Sequence, residues 1–272
     1  MNKNRGNEMS LKIGVCIKSV PNPEHYDRIE IDPETKTIVR KNMPCVINSA
    51  DKHAIELAMQ LKEATGAEVS IFTMAPPQGK EQLVSALAYG ADAAYLLSDR
   101  KVGGADTLAT SYSLCTMIKK VGQFDLIIAG NESEDGATAH VPSQLGEWMG
   151  MTHMADVIHA ELISEDTINV SKEFENGYGN YNIKLPCVLA VKKNINEVRY
   201  PTVMNMLVAN KKPLTVFSAE DLPELDENFI GLEGSPTKAG ELITPEYSRD
   251  SKSIEGSSEE IAEAILELVM KG

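Results

Sequence analysis

The sequence predicts an α/β protein: an open, mostly parallel sheet with helices on both faces, extended by antiparallel or mixed strands and ending in a C-terminal arm and helix. In the first half, short apolar runs of strand length alternate with segments of helical period. From about Asp156 the character changes, and strand-like runs follow one another across turn signals.

Taken in order, Lys12 to Lys18 (KIGVCIK), Glu68 to Met74 (EVSIFTM), Ala93 to Ser98 (AAYLLS) and Phe124 to Gly130 (FDLIIAG) are near-continuous apolar runs, the pattern of strands covered on both faces. Between them, Ala50 to Thr65 sets Ala54, Leu57, Ala58 and Leu61 on one helical face. Gly79 to Tyr89 does the same with Leu83, Leu87 and Ala88, and Asp106 to Val121 with Leu108, Leu114 and Ile118. Arg28 to Arg40 (RIEIDPETKTIVR) alternates polar and apolar residues around Asp-Pro-Glu-Thr and predicts a hairpin inserted after the first strand. Asp156 to Ile163, Thr167 to Glu175, Tyr178 to Ile183 and Cys187 to Val191 read as strands. Pro201 to Lys212 ends in a basic run, and Gly231 to Lys252, rich in Gly, Ser, Pro and charge, predicts an extended arm. Ser257-Ser258-Glu259-Glu260 is a capping-box pattern opening a helix with Ile261, Ile265, Leu268 and Val269 at helical spacing. That stripe needs an apolar partner, in its own domain or in another subunit.

The 272 residues are 42% hydrophobic and 24% charged, enough to bury a substantial core. Acidic residues outnumber basic ones, 40 to 26, for a net charge of −14, which disfavours nucleic acid and anionic membranes as partners. No run approaches the roughly 18 apolar residues of a membrane span, so no membrane insertion is expected, and the polar start points to a cytoplasmic protein. Cys16, Cys45, Cys115 and Cys187 form no Cys-x-x-Cys pair and read as small buried thiols. His25, His53, His140, His153 and His159 show no metal-ligand spacing. Nucleophile elbows, kinase signatures and interpretable Cys/His pairs are absent, so no side-chain catalytic machinery is expected and a cofactor would carry any chemistry.

In such a sheet the ligand sits beyond the carboxyl ends of the strands, where loops lead into helices. The fourth strand runs into Gly130-Asn131-Glu132-Ser133-Glu134-Asp135-Gly136-Ala137-Thr138-Ala139, small residues ahead of a helix that must hold Pro142 in its first turn. The amides of about Gly136 to Ala139 should open that helix and suit a pyrophosphate. The bland alternative is an acidic surface loop, since Glu132, Glu134 and Asp135 would repel phosphate if turned inward, and no glycine-rich nucleotide fingerprint is present. Gly103-Gly104-Ala105-Asp106-Thr107-Leu108-Ala109-Thr110-Ser111 offers a second helix start: either Asp106 or Thr107 simply caps it, or its hydroxyls and dipole face the same cleft.

These residues resemble the beta subunit of electron transfer flavoproteins over nearly the whole chain. The resemblance is carried by KIGVCIKSVPN from Lys12, Cys45-Val46-Ile47-Asn48, Ala86-Leu87-Ala88-Tyr89-Gly90-Ala91-Asp92, Lys184-Leu185-Pro186-Cys187 and Asn196-Glu197-Val198-Arg199-Tyr200-Pro201. It implies an adenine-nucleotide-binding, Rossmann-like domain over residues 11–222, after an extension over 1–10 expected to lack order. It also implies that 223–272 form an arm and helix packing on an alpha subunit. Asp99-Arg100, Gly104 to Ser111, Met74-Ala75-Pro76-Pro77 and Gly234-Ser235-Pro236-Thr237 look like the electron-bifurcating group, whose beta subunit holds FAD where ordinary members hold AMP.

Carried over by this resemblance, Cys16, Asn48, Ser49, Ala50, Asp51 and Met74 would line the adenosine end. Gly130, Asn131, Ser133, Asp135, Gly136, Ala137, Thr138, Ala139 and Val141 would follow ribose and diphosphate. Asp106, Thr107 and Thr110 would approach the flavin, and Thr202, Val203 and Met204 would dock a dehydrogenase. Gly130-Asn131-Glu132 stands where the family has Gly, a basic residue and Gln. The implied function is hydride exchange between NAD(H) and FAD, with electrons divided between ferredoxin or flavodoxin and the alpha-subunit FAD that serves a flavin-containing dehydrogenase of acyl-CoA or 2-hydroxy acid type. The alternatives are a non-bifurcating beta subunit with structural AMP, and a nucleotide-sensing α/β protein without a redox role.

Overall fold

A computed structural model describes residues 10–28, 44–238, 240 and 253–271. Residues 1–9 of the expected extension over 1–10, most of the hairpin predicted for Arg28 to Arg40 and most of the arm beyond 238 lie outside these residues. The chain divides into two units, Met1–Lys238 and Ala239–Gly272.

The first unit is built on one nine-stranded sheet. Strands β1 (Lys12–Cys16), β4 (Glu68–Met74), β5 (Ala93–Leu97) and β6 (Leu126–Gly130) alternate with helices α1 (Ser49–Thr65), α2 (Lys80–Ala88) and α3 (Thr107–Val121), within a residue or two of the expected bounds. A two-stranded antiparallel pair, β2 (Ser19–Pro21) and β3 (Cys45–Ile47), flanks the undescribed segment. After β6 come α4 (Val141–Met149), β7 (Thr152–Ser164), β8 (Thr167–Phe174), β9 (Gly177–Lys184), β10 (Cys187–Val191), α5 (Val203–Ala209) and β11 (Leu214–Phe217). The order across the sheet is β11-β5-β4-β1-β6-β10-β7-β8-β9, parallel as far as β7 and antiparallel from there.

Burial follows the two-residue period of a strand. Ile13, Val15, Val69 and Ile71 face a core shared with Ile55, Leu57, Leu83 and Leu87 of α1 and α2. Phe72, Ile127 and Val188 face the other core, with Leu114, Met117 and Ile118 of α3 and Leu145 of α4. Gly14 is required on that second face: a Cβ there would lie 2.6 Å from the Ile127 side chain.

Several elements depart from the sequence reading. β7 starts at Thr152, because its first residues pair parallel with β10 before its second half turns antiparallel to β8. α5 and β11 were not expected as elements. Residues 231–238, expected as extended arm, form turns against the start of α3, where a Cβ on Gly231 would lie 2.0 Å from the Lys101 carbonyl oxygen. Cys16, Cys115 and Cys187 are buried as expected, but Cys45 is exposed at the mouth of β3.

The second unit contains α6 (Ser258–Lys271), opened by the expected capping box: the Ser257 amide donates to Glu260 Oε2 at 2.8 Å, and the Glu260 amide returns to Ser257 Oγ at 3.4 Å. Ile265, Leu266, Leu268, Val269 and Met270 on this helix are exposed. Among the described residues no helix is long and apolar enough to cross a membrane.

Candidate functional site

The chain runs outward from β1 through β4 to β5, then returns through α3 to place β6 on the other side of β1. The strand order therefore reverses between β1 and β6, and a crevice opens beyond their carboxyl ends.

Asp51, in the first turn of α1, bridges that crevice. Its Oδ2 accepts from the Lys18 amide at 2.7 Å and its Oδ1 from the Gly130 amide at 3.0 Å, tying the ends of β1 and β6 to one carboxylate. The residue is 5% exposed. Burial pushes its carboxyl up to about 7, against the pull of the Lys18 amide, Asn48 and the Gly130 amide. Gly130 has no room for a side chain, since a Cβ would sit 2.4 Å from Asp51 Oδ1 and 2.7 Å from the Ala50 Cβ.

Asn48 stands at the N-cap position of α1 without capping it. Its side chain is committed to the loop after β6 instead: Nδ2 donates to the Glu132 carbonyl at 2.9 Å, and Oδ1 accepts from the Glu134 amide at 3.0 Å. At 1% exposure both bonds are sheltered from water. Asn131 turns the other way, exchanging bonds of 2.9 and 3.1 Å with Asp156 of β7.

Two of the three carboxylates expected to repel phosphate are matched by lysines. Lys18 Nζ donates to Asp135 Oδ1 at 2.6 Å and Ser133 Oγ at 3.1 Å, and Lys193 Nζ to Glu134 Oε1 at 2.7 Å. Lys18, two residues past the end of β1, thus brings a cation to the loop, paired there with Asp135. Lys18 was absent from the expected site. The signal was its place, since residues just beyond a strand at the reversal point face the ligand crevice.

Beyond Asp135 the loop turns through left-handed backbone at Ala137 (φ 48°) and Ala139 (φ 55°), an uncommon conformation for alanine that costs roughly 1–2 kcal/mol at each position. Left-handed residues interleaved with others turn successive amides to one side, a concavity suited to anions. α4 begins at Val141, so Gly136 to Ala139 lie in the turn before the helix rather than forming its first turn as expected; Pro142 is inside the helix start. Gln144 Oε1 is buried there without a hydrogen-bond partner among the described residues.

Cys16 closes β1 and faces the α3–α4 core, where burial, then Asp51 and Cys115, push its thiol up to about 12. Met74 ends β4, half-buried against the same core. Ser49 and Ala50 open α1.

The amino terminus of α3 lies at the same sheet edge, as parallel topology requires. Asp106 is its N-cap, Oδ1 accepting from Leu108 at 2.9 Å and Ala109 at 3.0 Å. Its Oδ2 accepts from the Thr237 amide at 2.9 Å, and its own amide donates to Ser235 Oγ at 2.8 Å. Burial opposes the charge, but the amides of Ala109, Thr237 and Leu108 outweigh it and hold the carboxyl below its ordinary value. Thr107 and Thr110 stand half-buried beside it. Between α3 and α4, Trp148 donates to Ser111 Oγ at 3.2 Å, and its ring meets Tyr112 and Phe229 at centroid distances of 5.1 and 5.9 Å.

The structure thus joins Cys16, Asn48 to Asp51 and Gly130 to Val141 around one crevice, with α3 starting on the same edge. Thr202, Val203 and Met204 lie apart from it, at the start of α5, whose packing is on α2. Among the described residues no cluster of His, Cys, Asp and Glu could hold a metal ion.

Known proteins are similar to this sequence. The model of the electron transfer flavoprotein domain matches residues 35–222. The electron transfer flavoprotein subunit beta of Clostridium acetobutylicum is 38% identical over 252 residues, covering 93% of this chain and 95% of that protein. The caffeyl-CoA reductase-Etf complex subunit CarD of Acetobacterium woodii is 39% identical over 249 residues, 91% and 93% of the two chains. The protein FixA of Bradyrhizobium diazoefficiens is 34% identical over 262 residues, 94% and 90%.

Proposed function

The chain belongs to the electron transfer flavoprotein family as a beta subunit, and from that premise we propose that it pairs with an alpha subunit and holds FAD in the crevice between β1 and β6, as the electron-bifurcating members do. The observation that carries this is the joined loop: Asp51, Asn48 and Lys18 fix the segment from Gly130 to Asp135, leaving the left-handed turns at Ala137 and Ala139 to face outward before α4. The residues present fit such a group. Gly130 leaves the strand end bare, the turn amides and the start of α4 suit a diphosphate, and Gln144 Oε1 lacks a donor that a ligand could supply.

When bound, the flavin supplies hydride exchange with NAD(H) and electron delivery to ferredoxin or flavodoxin and to the alpha-subunit FAD. The chain's own residues bind and orient. Asn48, Ser49, Ala50, Asp51 and Met74 would hold the adenosine end, and Gly130 to Val141 the ribose and diphosphate. Gly104 and Ala105 leave room ahead of α3, where Thr107 and Thr110 would face the ring. Asp106 supports this indirectly: its carboxylate is committed to three amides, so its work is to fix the helix start. Thr202, Val203 and Met204 would meet a flavin dehydrogenase, and the relative named as part of a caffeyl-CoA reductase complex supports a CoA-ester partner.

The test is to co-express the chain with its alpha subunit, purify the complex, release its nucleotides under denaturing conditions and count them. A second FAD per heterodimer with no AMP is expected. AMP with a single FAD would reduce this subunit to scaffold and docking.

A further inference from the structure

We propose that Arg199 is a positioning residue for partner docking: it clamps the Asn196–Tyr200 segment along α1 and so presents the apolar face of α5 in one orientation to the dehydrogenase. This rests on the reading of α5 as the docking element.

His53, Glu56 and Glu63 lie on one side of α1, at helical spacings of three and seven. The Arg199 guanidinium forks onto Glu56, with Nε donating to Oε2 at 2.7 Å and Nη2 to Oε1 at 2.9 Å. Its outer edge reaches Glu63, Nη2 donating to Oε2 at 3.2 Å and Nη1 to Oε1. The Arg199 amide adds a bond of 3.3 Å to Glu56 Oε2. Three residues earlier, Asn196 is locked by reciprocal contacts: its Nδ2 donates to the His53 carbonyl at 3.0 Å, and its Oδ1 lies 2.9 Å from His53 Nδ1. Glu56 is 3% exposed, so this is a sheltered, bidentate pair that a lysine could not reproduce.

The element that follows the clamp packs on α2 but buries little of itself. α5 is only seven residues long and buries Ala209 alone. A helix so short is marginal by itself. Thr202 caps it, Oγ1 accepting from the Asn205 amide at 3.1 Å, and at the far end Lys212 Nζ donates to the carbonyls of Leu87 and Ala91 at 3.2 and 2.7 Å. Between these two anchors Val203, Met204, Met206 and Leu207 are exposed, and Tyr200, next to the clamp, is 94% exposed. A segment fastened this firmly at both ends while its apolar side faces outward is arranged for a partner. Fixing it before contact lowers the ordering entropy of association.

The test uses the assembled heterodimer and a flavin dehydrogenase of acyl-CoA or 2-hydroxy acid type that the wild-type complex reduces. Glu63→Gln opens the exposed half of the clamp; the double variant Glu56→Gln, Arg199→Met removes the buried pair together, so that no lone charge is left inside. Both are expected to raise the KM for the dehydrogenase by about 10-fold, the double variant more, with kcat and flavin reduction by NADH unchanged. Amide hydrogen exchange over 203–207 should quicken while that of β1 and β6 stays the same, and Arg199→Lys should fall between. Val203→Ala with Met204→Ala is the control for the docking reading. A raised KM in the control with an unchanged KM and unchanged exchange in the clamp variants would overturn the role of Arg199 alone. An unchanged KM in the control would overturn docking at α5, and this inference with it.

Discussion

Asp51 does the work of two strand-end caps with a single side chain, and its environment makes that work depend on pH. Because burial raises its carboxyl to about 7, the folded state holds a proton that the unfolded chain releases near 4. The folded protein therefore loses stability from this group as pH rises from about 4 toward 7, by on the order of 2–4 kcal/mol. Asp51→Asn copies the protonated form. Denaturant midpoints should agree near pH 3 to 4, and near pH 8 the variant should be the more stable; equal slopes with pH in both proteins would refute this account. Gly130→Ala should destabilise by about 1–3 kcal/mol and lower nucleotide occupancy, since its Cβ would press on Asp51 and Ala50. Asp51 and Gly130 were legible in the sequence as members of a crevice, because strand ends at a chain reversal are where ligands bind. Their mutual bond was not, since nothing in the spacing of residues 51 and 130 states which carboxylate finds which amide.

The helices with strong periods were read closely, and the reason is local. α3 begins where Asp106 can cap it and ends before Gly122, and α1 ends at Gly66, whose φ of 75° suits the left-handed cap. α5 and β11 escaped notice because neither is defined by its own pattern. One is flanked by the Arg199 contact to Glu56 of α1 and by Lys212, which donates to a carbonyl of the turn after α2; the other is held by its pairing with β5. The turns at 231–237 were likewise decided by tertiary bonds, with Ser235 Oγ accepting from Asp106 and donating to the Gly231 carbonyl at 2.6 Å. Ser235→Ala should therefore destabilise by about 1–2 kcal/mol and speed proteolysis near Thr237, with the sheet unaffected. Limited proteolysis that is no faster would show that the segment is held by other means.

Across the whole molecule, α1 links two places that the sequence presented separately. Its first turn, through Asn48 and Asp51, holds the crevice loop, and its later turns, through His53, Glu56 and Glu63, hold the segment leading to α5. The acidic surface and the apolar residues of α5 and α6 set the behaviour of the chain without its partner. Val203, Met204 and Leu207 on one element and Leu268, Val269 and Met270 on the other are exposed apolar surface of the kind that marks interfaces. The isolated subunit should bind a hydrophobic dye strongly; addition of the alpha subunit should remove the share contributed by α6 and leave that of α5 until a dehydrogenase binds, and a signal that the alpha subunit does not change would mean that the face of α6 is not covered by it.

One ring in the α3–α4 interface has an optical use. Trp148 is the chain's single tryptophan, seated against Tyr112 and Phe229 and bonded to Ser111 near the start of α3. All indole emission from this subunit therefore originates at one place between α3 and α4. Flavin absorbs in the range where indole emits, and adenosine monophosphate does not. The emission lifetime of Trp148 should shorten when the crevice fills with FAD and hold steady when it fills with AMP, giving a reading of the occupant in the intact, folded subunit.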